Sequence, residues 1–195
     1  FFVIERLIIP GDGAATAANI TANEWQFRSA IASLAIVLVL DVVVSWALYV
    51  LLKQVNRNLA LLMALFRLIY TAIFAAAVFN FLSVLQLLRD AAFTALDTGQ
   101  QQAQVMLLTG AFDNGWTVGL VFFGVHLLLV GYLVFKAEFM PSFLGILLIL
   151  AGLGYLVDNF AKMILINYAD FETMFILVVD PALYFDPLAI IRIRI

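Results

Sequence analysis

Residues 29–52 read SAIASLAIVLVLDVVVSWALYVLL, an apolar run interrupted by a single charge, Asp41. A helix needs about 20 apolar residues to cross the hydrocarbon of a bilayer, and this run is long enough. A transmembrane β-barrel would be written in short alternating segments separated by turns. The run does not alternate, so it predicts a membrane-spanning α-helix.

The flanking sequence repeats the pattern. The polar connector Lys53–Asn58 (KQVNRN) leads into a second apolar stretch, which predicts a helix over 59–88. Residues 89–115 form the longest polar stretch, with a short interfacial helix expected near 100–111. Further spans are predicted over 116–135 and 143–166, separated by Lys136–Glu138 and Pro141. Upstream, residues 1–9 (FFVIERLII) rise only about 14 Å as a helix, too little to cross. They read as the end of a helix whose start is missing, closed by Pro10–Gly13 (PGDG). Residues 14–27 predict a short surface helix. Asn19-Ile20-Thr21 matches a glycosylation sequon but reads as chance in a stretch rich in Ala, Asn and Thr. The last segment, 171–195, is apolar but broken by Asp180-Pro181 and Asp186-Pro187, so a sixth helix there would be irregular. The expected fold is therefore all-α: one polytopic transmembrane helix bundle over 1–195, about six helices, the first truncated and the last irregular.

Composition requires the same solvent. The 195 residues are 66% hydrophobic and 12% charged, against roughly half and a quarter in soluble domains. Mean hydropathy is +1.11. A core grows more slowly than the chain, so lipid must solvate the remainder. The net charge of −3 and the lack of any basic run exclude a nucleic-acid interface. With no cysteine and one histidine, thiolate metal sites and bis-histidine haem within one chain are excluded, and no metal or other cofactor is expected. Lys53, Arg57 and Lys136 sit in the short connectors, whereas the longer loops are acidic. Positive residues mark the cytoplasmic side, which places both connectors and both chain ends there.

Three polar side chains fall near mid-membrane. Asp41 lies about 18 Å of helix from Lys53 and Arg67 about 14 Å from Asn58, at matching depths on helices joined by a tight connector. A charge at that depth costs about 2.5–3.5 kcal/mol, so Asp41 and Arg67 are expected to form an intramembrane ion pair. His126 lies about 15 Å from Lys136 and is a candidate polar or ligand site. It could donate a hydrogen bond to a neighbouring helix, relay protons with Asp41, or ligate a haem or chlorophyll. Asp158 and Lys162 stand four apart on one helix and are expected to pair locally. Gly124 and Gly131, then Gly145 and Gly152, repeat at seven. Across the 136–142 connector Gly131 meets the depth of Gly145, and Gly124 that of Gly152, as small residues do where helix backbones approach closely in lipid. That register turns His126 away from residues 145–155.

Four stretches are distinctive in combination: Ile8–Asp12 with Ala14–Ile20; Ala47–Lys53 with Val55–Asn58; Gly119–Gly131 (GLVFFGVHLLLVG); and Gly145–Asp158 (GILLILAGLGYLVD). They resemble the bacterial family catalogued as domain of unknown function 4386, over roughly residues 1–177. The resemblance implies a multi-span bacterial membrane protein of about six helices and no particular activity. After Leu177 the sequence leaves the family pattern.

No phosphate-binding loop, nucleophile elbow or HExxH motif occurs. The expectation is a non-enzymatic accessory or scaffolding component in a bacterial cytoplasmic (inner) membrane. Its partners are the lipid bilayer and another membrane protein or further copies of itself. The alternative is a small transporter or channel using Asp41, Arg67 and His126. The ion-pair expectation is tested by stability in detergent of Asp41→Asn, Arg67→Gln and the double variant. A lone buried charge is the costly state, so each single variant should lose more than the double; strictly additive losses would mean that the two do not interact.

Overall fold

The computed structural model describes residues 2–90 and 97–168. Among them are six helices: α1 (Phe2–Leu7), α2 (Gly13–Ala22), α3 (Glu24–Leu52), α4 (Arg57–Arg89), α5 (Thr98–Lys136) and α6 (Ser142–Ile164). The fold is an all-α helical bundle, and α3 to α6 are each long and apolar enough to cross a membrane. Segment 171–195, where a sixth span was in question, lies outside the described residues.

Helix boundaries follow local chemistry. Gly11 takes φ +78°, open to glycine because it lacks a Cβ, and turns the chain between α1 and α2. Asp12 caps α2, its Oδ1 accepting from Ala15 N–H at 2.8 Å. Asn56 caps α4 by accepting from Leu59 N–H at 3.0 Å. Such caps satisfy amides that lack a partner within the helix. Asn19, the sequon residue, donates its side-chain amide to the Leu7 carbonyl at 3.4 Å.

One element differs from expectation. The polar stretch before residue 116 is not a loop carrying a separate interfacial helix. From Thr98 it belongs to α5, a single helix of 39 residues, roughly 58 Å long at the standard rise. No proline interrupts it, and Val105, Thr109 and Phe112 bury one helical face. Apolar content alone misplaced its start, because the first turns are glutamine-rich.

The chain divides into two compact units. The first comprises Phe1–Val42 and Thr71–Trp116, the second Val43–Tyr70 and Thr117–Ile195. In the first unit the core is aromatic. Phe81 stacks on Phe112 with centroids 4.2 Å apart, Phe27 meets Phe81 edge-on at 5.6 Å, and Phe74 meets Trp116 at 4.7 Å. Gly115 admits Ala77 so closely that a Cβ on it would lie 2.9 Å from the alanine methyl.

The second unit is built on small residues and aliphatics. Leu52, Ala60, Met63 and Ala64 pack with Val130, Leu133 and Val134. Ser45 Oγ donates to the Ala64 carbonyl at 3.0 Å, joining α3 to α4. Helices α5 and α6 meet through glycine. A Cβ on Gly145 would fall 2.6 Å from both the Gly131 carbonyl oxygen and the Phe135 amide nitrogen. One on Gly152 would fall 2.8 Å from the Gly124 carbonyl oxygen. These neighbours are backbone and cannot rotate aside. Gly145→Ala should therefore lower stability in detergent by about 1–3 kcal/mol, the usual cost of overpacking. Gly110 has nothing within 4 Å of where its Cβ would stand, so Gly110→Ala should be neutral or stabilising by up to about 1 kcal/mol. Thermal melts of both variants check the contrast; equal effects would mean that the α5–α6 contact is not close.

Candidate functional site

The polar centre of the second unit is a histidine laid along one turn of α4. His126 projects from α5 and is only 1% exposed. Its Nδ1 lies 3.0 Å from the Met63 carbonyl oxygen and its Nε2 lies 3.2 Å from Arg67 Nη1. Met63 and Arg67 are four apart and so share one face of α4, which is why one imidazole reaches both.

The partners fix the tautomer. A carbonyl only accepts and a guanidinium only donates. Nδ1 therefore carries the proton and donates to Met63, while the Nε2 lone pair accepts from Arg67. Both ring nitrogens are engaged. Aromatic side chains enclose the pair. The Arg67 guanidinium sits 5.6 Å from the Phe123 ring centre, a favourable cation–π distance. Phe123 lies 5.0 Å from Tyr70 and meets Tyr155 of α6 perpendicularly at 5.6 Å.

A second polar cluster closes α6. Asp158, 6% exposed, accepts from Lys162 Nζ at 2.8 Å and from the Tyr168 hydroxyl. The Lys162 ammonium also lies 5.4 Å from the Tyr168 ring centre. Asn159, fully buried, donates to the Tyr155 carbonyl at 2.8 Å. Among the described residues, no three His, Cys, Asp or Glu side chains converge as a metal-binding group.

The structure brings His126 onto Arg67, a contact between two side chains that sequence reasoning placed at similar depth but did not pair. The available signal was depth: both residues lie near mid-span on helices that pack together. Asp41 is buried in the first unit, whereas Arg67 belongs to the second. Gly124 lies against Gly152 and Gly131 against Gly145. The bond from the Tyr168 hydroxyl to Asp158 had no signature in the spacing.

Because the chain has one histidine, ¹⁵N-histidine labelling reports on His126 alone. At neutral pH the spectrum should show one protonated nitrogen, Nδ1, and one unprotonated nitrogen, Nε2. Two protonated nitrogens, or averaging between tautomers, would contradict the bonding described. His126→Leu removes both bonds and should cost about 2–3 kcal/mol of stability, because buried polar partners lose their contacts.

A protein of Archaeoglobus fulgidus described as "Uncharacterized protein" is 36% identical over 123 residues, which is 63% of this chain and 60% of the relative. The chain thus spans about three fifths of that relative's length. No solved structure matches it. Residues 1–188 match the family described as Domain of unknown function (DUF4386), somewhat further than the 1–177 expected from the motifs, and the chain is a member of that family.

Proposed function

We propose that this protein is a non-enzymatic accessory or scaffolding component of an assembly in the cytoplasmic membrane of a bacterium. The observation that carries the reading is the state of His126. It is the chain's one histidine, and a proton relay or catalytic base needs a ring nitrogen that can exchange its proton with a substrate. Here one nitrogen holds a backbone carbonyl and the other a guanidinium, inside a shell of rings. This bonding serves helix position.

Helix α3 supplies the surface such a role uses. Only 17% of its most apolar window is buried, against 39% for the corresponding windows of α4 and α5. In the second unit Val43, Trp46 and Val50 are exposed at spacings of three and four, which aligns them on one helix face. Aromatic residues are over-represented at protein interfaces, and Trp46 is the largest side chain of this row.

The test is site-specific photocrosslinking in native membranes. A photoreactive residue in place of Trp46 should give a discrete protein adduct, either with a second copy or with a larger partner. The same residue at Leu150, an exposed position on α6, should react with lipid. Lipid adducts alone at both positions would overturn the reading and return attention to transport.

A further inference from the structure

The first unit contains a cavity of about 360 Å³ between the N-terminal residues and helices α4 and α5. Its volume falls within the roughly 300–1,000 Å³ typical of small-molecule sites. Two features of its wall stand out. Among the described residues the charged groups are both carboxylates, Glu5 from α1 and Asp113 from α5, and no Lys, Arg or His lines it. Neither carboxylate has a hydrogen-bond or ion-pair partner among the described residues. The rest of the wall is apolar and partly aromatic, with Phe81, Phe112 and Trp116. The Phe112 and Trp116 rings are nearly parallel, 10° apart in plane and 6.4 Å between centres.

Carboxylates call for a cation, and aromatic faces attract one through their quadrupole. A metal ion would instead need several converging oxygens, and no such group is found among the described residues. Aromatic and isoleucine walls give a hydrated inorganic cation nothing in exchange for its water, whereas they suit a cation with apolar arms. We propose that this cavity binds an organic ammonium ion carrying apolar substituents, its charge answered by Glu5 and Asp113 and its arms by Ile8, Pro10 and Trp116. Free amines and the headgroups of ammonium lipids share this chemistry. The site is independent of the scaffolding role, which rests on His126 and α3.

The test uses the full chain in lipid-free detergent. The protein has three tryptophans, and Trp25 and Trp46 are 80% and 66% exposed. Replacing both with Phe leaves Trp116 as the sole indole. Tetrabutylammonium should then change its fluorescence saturably, and the uncharged tributylphosphine oxide should not. Asp113→Asn and Glu5→Gln should each weaken binding by about tenfold, while Asp113→Glu retains it. Circular dichroism melts confirm that each variant is folded. Absence of a saturable response, equal affinity of Asp113→Asn, or equal binding of the neutral probe would overturn the proposal. Repeating the titration in nanodiscs separates the two sources, using phosphatidylcholine and, for comparison, a neutral glucosyl diacylglycerol. Weaker probe binding in phosphatidylcholine supports the site and identifies a headgroup as its occupant. Equal binding supports the site and identifies a free cation.

Discussion

A polar atom carried into hydrocarbon has no water to bond, so its partner must come from the protein itself. That constraint shapes the second unit. Adjacent α4 carbonyls, those of Met63 and Ala64, accept bonds from His126 of α5 and from Ser45 of α3. Each bond satisfies a side chain that would otherwise be costly to bury. Each also fixes the position of a neighbouring helix along α4, because a carbonyl is a point and an aliphatic surface is not. Leu, Val and Ile can slide along one another at little cost; a histidine seated on residues 63 and 67 cannot move by a turn without losing both bonds.

The two units meet their packing needs with different materials. Large rings dominate the first, where Phe81 and Phe27 are fully buried and Phe112 and Phe74 nearly so. Rings fill wide gaps between helices and prefer offset or edge-on contacts, and the gap they leave beside α1 is the acidic cavity. In the second unit Gly124, Gly131, Gly145 and Gly152 bring α5 and α6 into backbone contact. Close approach there leaves room for nothing else, so the polar side chain of α5 turns to α4.

Much of this order could be read from residues alone. Long apolar runs gave the spans of α3, α4 and α6 to within a few residues, because hydrocarbon thickness sets a length that composition must meet. The glycine registers were readable because a tight connector makes depth a matter of counting. The start of α5 was not, since glutamine-rich turns outside the hydrocarbon look the same as a loop to a hydropathy argument. Arg67 with His126 was missed because nothing in the spacing tells which side chains at one depth share a face. The cavity depends on α1 folding beside α4 and α5, a contact distant in sequence that no periodicity reports.

The backbone contact between α5 and α6 has a thermodynamic character of its own. A glycine whose absent Cβ would collide with a carbonyl oxygen presents an α-hydrogen to that oxygen, which is a weak Cα–H···O bond. Association of this kind releases no water from apolar surface, because lipid chains already solvated both helices. The hydrophobic attraction that fades on cooling in soluble proteins therefore has no share in holding this hairpin. Its strength rests on dispersion and weak polar contact, so it carries little heat-capacity change and keeps its hold in the cold.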